Sequence, residues 1–269
     1  MAKVLSQAQI LCPMNRSRLR SPYASPAIYL ILTLLLGIFV VLLPLNAAEC
    51  SLVLDLQNFA QKTIGLQAFQ VLTYLGDFYL WIIFTPIYLF YAHSKSRKHL
   101  DSAIELAVFL VITTALTYSI KIVFARPRPN CPGIRVYDEN SISSFSYPSS
   151  HVSRATGAFL ILSKGSKTRG SLAVIAISLV SLSRVILGAH FLTDVVGGIC
   201  LSLAAQKLAN LSLPFLARAR HVFNSRPQLT TCWSKVFVIW MRIGHVSRRY
   251  EILLSRLFMA ILLRALRVQ

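Results

Sequence analysis

Three short stretches of this 269-residue chain gather cations and imidazoles where an apolar sequence gives them no ordinary use. The first is Lys121-Ile-Val-Phe-Ala-Arg126-Pro-Arg128-Pro129, which closes an apolar run. Basic side chains at such an end can simply snorkel to the membrane interface. Snorkelling does not call for Arg-Pro-Arg-Pro, where each proline stops a helix and fixes the chain. Guanidinium groups on a rigid turn suit bidentate binding of phosphate oxygens. The second stretch is Tyr147-Pro148-Ser149-Ser150-His151. Serines ahead of a helix are ordinary N-caps. The same place is also an anion site, because free amides and the helix dipole point at whatever sits there. His151 stands at its mouth. The third runs Ser183-Arg184-Val-Ile-Leu-Gly-Ala-His190-Phe-Leu-Thr-Asp194. Ionisable groups inside apolar segments are costly and mark functional sites by default. His190 and Asp194 are four apart, so a continuous helix puts both on one face, where the carboxylate fixes the imidazole tautomer. A packing pair of Arg184 with Asp194 would explain two of these residues and leave the histidine without a purpose.

The elements that must carry these residues are membrane helices. Hydrophobic residues make up 55% of the chain and charged ones only 14%, too few polar groups to coat a soluble domain of this length. A bilayer core needs about 20 apolar residues per helix. The pattern predicts an all-α polytopic membrane protein with six spans: 27–47, 77–92 (beginning as early as Leu66), 103–125, 152–163 extended into its flanks, 171–192 and 194–217. Basic residues 16, 18 and 20 precede the first span, whose apolar run exceeds the roughly 7–15 residues of a signal core, so it reads as a retained helix.

Lys and Arg number 28 against 9 Asp and Glu. They fall ahead of the first span, at Lys95, Arg97 and Lys98, at Lys164, Lys167 and Arg169, and in the tail beyond Ala217. With six spans all four segments lie on one side, the cytoplasm by the positive-inside rule. The three clusters then face the other side. Spacing between apolar spans argues against nucleic acid as the partner of this charge and for a bilayer surface. Three domains follow: a basic segment 1–26, a transmembrane unit 27–217, and a basic tail 218–269 patterned like amphipathic helices on an anionic leaflet. The five cysteines show no paired spacing for zinc or redox work. Cys50 and Cys131 fall on one side of the membrane and are expected as two free thiols, with a bridge as the other option. No carboxylate cluster for a two-metal centre and no Gly-rich nucleotide loop occurs, so neither metal nor cofactor is expected.

The three clusters resemble those of the type 2 phosphatidic acid phosphatase superfamily, which also includes bacterial acid phosphatases and vanadium haloperoxidases. Lys, six residues, then Arg-Pro is matched by Lys121, Arg128 and Pro129. Pro-Ser-Gly-His is matched by Pro148, Ser149 and His151, with Ser150 where glycine is usual. Ser-Arg, five residues, His, three residues, Asp is matched by Ser183, Arg184, His190 and Asp194. The resemblance implies a six-helix membrane fold and metal-independent removal of phosphate from a lipid through a phosphohistidine. In it His190 is the nucleophile, Asp194 orients it and raises its basicity, and His151 is the acid and later the base. Lys121, Arg128 and Arg184 neutralise the phosphoryl oxygens, with donors around Ser149 and Ser150; Arg126 has a supporting or surface role. Phosphatidate, phosphatidylglycerophosphate, isoprenyl diphosphate and lipid A phosphates are all within that range. Passing the phosphoryl group to another lipid, or carrying an anion without chemistry, would use the same cations; only chemistry calls for the His190–Asp194 pair.

Overall fold

The computed structural model describes residues 25–42, 46–137 and 145–224, and all elements below belong to these. The expected basic N-terminal segment up to residue 24, the 138–144 part of the loop before the second cluster, and the tail from 225 onward lie outside the described residues.

Helix α1 (Pro26–Leu42) opens on a proline, whose fixed φ and missing N–H suit a first helical position. It is followed by α2 (Asn46–Thr63) and α3 (Leu66–Thr73), which tightens into a 3₁₀ turn at Tyr74–Gly76. Helix α4 (Phe78–Lys95) starts at Asp77, whose carboxylate caps it by accepting from the Tyr79 N–H at 2.6 Å. Helix α5 (Arg97–Phe124) ends where Ala125 turns left-handed ahead of the Arg-Pro-Arg-Pro run. Helix α6 (Ser150–Ser163), α7 (Lys167–Ile186) and α8 (Leu192–Asn224) complete the bundle.

Helices α5, α7 and the Leu192–Leu216 part of α8 are each long and apolar enough to cross a bilayer. Helix α1 with Ala47–Thr63, and Leu66–Gly76 with α4 across a 47° bend, reach that standard only as pairs, giving three to five crossing elements. Val111, Ile122 and Val123 of α5 and Leu172, Val174 and Ile175 of α7 point outward. Outward apolar side chains around a polar interior are what lipid, rather than water, selects.

Two sequence expectations change here. Helix α6 does not extend into its flanks: 14 residues rise about 21 Å, short of the roughly 30 Å of hydrocarbon. It has no need to, because α5, α7 and α8 pack around it and bury Val152 through Ala158. Close approach is set by small residues; a Cβ on Gly198 of α8 would meet the Ser149 carbonyl oxygen at 2.8 Å. The stretch from Glu49 to Gly76, between the first two predicted spans, is largely helical and not a loop. Its polar residues Glu49 and Gln57 are buried against the bundle, while Phe59 and Ile64 face outward.

Candidate active site

All three clusters meet at one end of the bundle. At the end of α5 the Ala125 N–H closes on the Lys121 carbonyl at 2.8 Å, and the prolines then carry the chain out of the helix. Lys121 is buried and its Nζ donates to the Phe145 carbonyl, so the first cluster holds the strand of chain that leads into the second. Arg128 donates from Nη1 to the Ala189 carbonyl at 2.7 Å, one residue before His190.

The third cluster works as a turn, not as one continuous helix. Helix α7 stops at Ile186, and Gly188 takes φ +67, a left-handed conformation that a side chain would strain. The N–H groups of both Ala189 and His190 then donate back to the Arg184 carbonyl, at 3.1 and 3.2 Å. His190 therefore precedes α8, and Asp194 sits in that helix's first turn. The Asp194 Oδ2 accepts from the Phe191 N–H at 2.9 Å, a reciprocal cap of the kind a carboxylate makes in a first turn. It also stands 3.6 Å from His190 Nδ1. The expected pairing survives, brought about by a cap rather than a shared helical face.

Ser146 fills the space between them. Its hydroxyl donates to Asp194 Oδ2 and lies 3.4 Å from His190 Nδ1. The other carboxylate oxygen of Asp194 accepts from Arg126 Nη1 at 2.5 Å. Arg126 also bonds Glu49 and Thr193, and its guanidinium lies 4.4 Å over the Phe191 ring. Arg126 is thus a buried brace for the carboxylate. The alternative pairing of Asp194 with Arg184 is not formed; Arg184 Nη1 donates to Thr73 at 2.7 Å.

With Nδ1 facing Asp194 and Ser146, a proton there leaves the lone pair on Nε2. The Nε2 atom is buried and has no hydrogen-bond partner among the described residues. Burial first, then the charges of Arg128, Arg184 and Lys121, hold this imidazole well below the ordinary histidine range. It is a neutral nitrogen with an open lone pair in a positive field, which is what attack on a phosphoryl group requires.

The second cluster opens α6. The Ser149 N–H is engaged by the Asp194 carbonyl at 3.0 Å, so this amide holds the two helices together, while its hydroxyl is buried with no partner among the described residues. The first-turn amides of α6, at Ser150 and His151, lie beyond the reach of intrahelical bonding. Burial first, then the charges of Arg184, Arg154 and Arg128, hold the His151 imidazole below the ordinary histidine range, a shift that a bound phosphate anion would oppose. Its Nε2 is 3.9 Å from Asp77 Oδ2. Arg154, one turn along, is buried and donates from Nε to the Gly76 carbonyl at 3.1 Å.

Cys50 and Cys131 form a disulfide with a Cα–Cα distance of 6.0 Å, in place of the two free thiols expected. Gln57 adds to the same seam, pairing with both the N–H and the carbonyl of Arg135 and donating to Ile186. Together they fasten α2 over the chain that carries Arg126 and Arg128.

Residues 102–216 match the model of the PAP2 superfamily, a segment that contains all three clusters. That segment is a PAP2-superfamily region. A solved PAP2-type phosphatidylglycerolphosphate phosphatase from Bacillus subtilis is similar at 27% identity, with a TM-score of 0.56, covering 69% of this chain and 94% of that one. LpxE of Aquifex aeolicus shares the fold at 24% identity and a TM-score of 0.50, over 58% of this chain and 91% of its own. Among curated relatives, the undecaprenyl-diphosphatase of Sulfolobus acidocaldarius is 35% identical over half of this chain and 63% of its own length. The decaprenylphosphoryl-5-phosphoribose phosphatase of Mycobacterium tuberculosis is 34% identical over 34% of this chain and 49% of its own. The chain thus spans about half to two thirds of the curated relatives it matches.

Around this site, sequence reading missed Ser146, Glu49, Thr193 and Asp77. Ser146, Glu49 and Asp77 stand outside the three stretches and reach the site by tertiary packing, while Thr193 lies inside the third as a spacer position. Only Glu49 carried a signal: it is an acid in a segment otherwise poor in charge.

Proposed function

We propose that this chain is an integral membrane phosphatase that removes a terminal phosphoryl group from a lipid phosphate or diphosphate through His190. One observation carries the reading: the unpartnered, buried Nε2 of His190, backed at Nδ1 by Asp194 and Ser146 and surrounded by fixed cations. In this reading Nε2 attacks phosphorus, Lys121, Arg128 and Arg184 neutralise the equatorial oxygens, and His151 protonates the departing oxygen. His151 then takes a proton from the water that releases phosphate from His190. Ser149 Oγ and the Ser150 amide add donors. Neither metal nor cofactor enters these steps. The phosphatase names of the relatives, all acting on lipid-linked phosphates by name or membrane setting, support the substrate class.

The site faces away from the cytoplasm in this proposal, with the short α6 running from the site end to the opposite, cationic end of the bundle. Lys95, Lys98, Lys164 and Lys167 lie at helix ends opposite the site, and such a cationic end stays in the cytoplasm. The Cys50–Cys131 disulfide lies at the site end, as an oxidising compartment favours.

The deciding experiment is phosphate release from a lipid panel in detergent micelles by the wild type and by His190→Ala. Loss of all release in the variant, with an acid-labile phosphoryl label trapped on the wild type, supports the reading. Release retained by His190→Ala overturns it. Label passed to a lipid instead of to water would make the chain a phosphotransferase, and no label with intact anion binding would make it a carrier.

A further inference from the structure

Arg154 is a buried cation that belongs to none of the three motifs. It lies three residues after His151 on α6, so both project from one helical face. Helical side chains lean toward the N-terminus, which brings the Arg154 guanidinium back to the level of His151. Its position there is fixed on two sides. The Nε donates to the Gly76 carbonyl at 3.1 Å, and the group lies 5.8 Å from the centre of the Phe78 ring. Gly76 itself is packed on His151, since a Cβ there would meet the His151 carbonyl oxygen at 2.8 Å.

Those contacts use only Nε. Among the described residues neither Nη group of Arg154 makes a hydrogen bond, and no carboxylate lies within 4.0 Å of it. The stem and Nε of Arg154 are buried and fixed, and the little exposure the residue keeps leaves its Nη fork open to a ligand, a geometry that suits a two-oxygen anion. Arg154 differs in this from Arg126, whose fork is filled by Asp194, Glu49 and Thr193.

The place of the fork decides which anion. In-line attack by His190 sends the leaving group to the opposite side of phosphorus, toward the acid. A phosphomonoester releases an alcohol that leaves neutral once His151 has protonated it, and a guanidinium beside it has nothing to bind. A diphosphate releases a lipid monophosphate, whose two terminal oxygens match a guanidinium fork.

We propose that Arg154 receives the leaving phosphate of a lipid diphosphate and makes this site selective for diphosphates over monophosphates. The proposal rests on the phosphatase reading above. The His190 Nε2 lone pair forms the N–P bond to the terminal phosphorus, and the bond from that phosphorus to the bridging oxygen breaks. Its electron pair stays on the bridging oxygen, which takes the proton of the His151 imidazolium. Lipid monophosphate leaves from Arg154. Water then attacks the phosphohistidine, His151 recovers a proton from it, and inorganic phosphate departs as the N–P pair returns to His190.

The test uses the full chain in micelles with farnesyl diphosphate and farnesyl monophosphate. The ratio of their kcat/KM values should fall about 10- to 100-fold in Arg154→Gln, the loss expected for a charge-assisted bond. Arg154→Lys, which keeps charge but not the fork, should fall between. An unchanged ratio, including equal losses on both substrates as for a mere strut, overturns the proposal. A binding measurement separates this from failure of the phosphatase reading. In His190→Ala, inorganic pyrophosphate should raise the melting temperature more than phosphate at equal concentration, and the double variant with Arg154→Gln should lose that difference. That pattern without turnover by the wild type would sink the chemistry and keep the subsite. No pyrophosphate preference in His190→Ala overturns the subsite.

Discussion

Arg126 Nη1 lies 2.5 Å from Asp194 Oδ1, while the other oxygen of that carboxylate faces His190. The carboxylate behind the proposed nucleophile is therefore held by a cation outside the set proposed to bind phosphate. Glu49 of α2 and Thr193 of α8 share the same guanidinium, so three separate elements meet at Arg126.

Replacing Arg126 should then damage the nucleophile without touching the phosphate cradle. In Arg126→Gln two buried carboxylates lose their counter-charge, a change that costs about 3–5 kcal/mol when a buried pair is broken. We expect a lower melting temperature and a kcat reduced about 100-fold, with KM changed much less. Arg126→Lys should recover part of the stability through its charge. A KM effect with normal kcat would show that Arg126 binds substrate instead.

The difference between Arg126 and its neighbours marks how far the sequence could be read. Lys121, Arg128, Arg184, His151, His190 and Asp194 stood out because an apolar background makes each ionisable group conspicuous, and their gathering at one bundle end follows from which helix ends they occupy. Apolar length likewise predicted α1, α5, α7 and α8, with ends displaced by up to seven residues. Ser146 and Asp77 look like ordinary polar residues at helix approaches, and nothing local says that one would bridge Asp194 and His190 or that the other would face His151. Helix α2 was hidden for a related reason. It is polar enough to pass for a loop, and its burial depends on a disulfide and a Gln57 seam contributed from 78 to 129 residues away. The turn at Gly188 was hidden by spacing, since an interval of four suits both a continuous helix and a first-turn cap.

His190 gives a pH dependence with a definite sign. Burial and the charges of Arg128, Arg184 and Lys121 lower its proton affinity, so the neutral nucleophile persists below the ordinary value of about 6.5. The acid limb of kcat/KM that it sets should lie under that pH. Arg128→Gln removes one of those charges, restores some proton affinity and should move the limb to higher pH in the residual activity. The folded state also refuses a proton that the unfolded chain accepts, so this group makes stability fall as pH drops through about 6.5. A limb that stays in place, or moves down, in Arg128→Gln would disprove the assignment of the field.

Reduction should loosen the cover over the site. The Cys50–Cys131 bond closes a sequence separation of 81 residues, and its loss costs about 2–4 kcal/mol. Reductant, or Cys50→Ser with Cys131→Ser, should lower the melting temperature and reduce turnover, because α2 then releases the segment bearing Arg126 and Arg128. After reduction of intact cells, a membrane-impermeant thiol reagent should label Cys50 and Cys131. Labelling that appears only after permeabilisation would place the site on the cytoplasmic side.

Gly76 tests the other half of the site without removing any functional group. A methyl group there would sit 2.8 Å from the His151 carbonyl oxygen and 3.0 Å from its carbonyl carbon. Those are backbone atoms at the start of α6 and cannot swing aside like a side-chain tip. Gly76→Ala must push the 74–77 turn away from His151, carrying Asp77 and the carbonyl that holds Arg154 with it. We expect kcat to fall at least 10-fold, the size of effect that about 1 Å of misplacement brings to positioned groups. Phosphohistidine formed on a substrate with a good leaving group, such as p-nitrophenyl phosphate, should be slowed less, because that leaving group has little need of an acid. Equal slowing of both substrates would mean that the turn supports the whole site rather than His151.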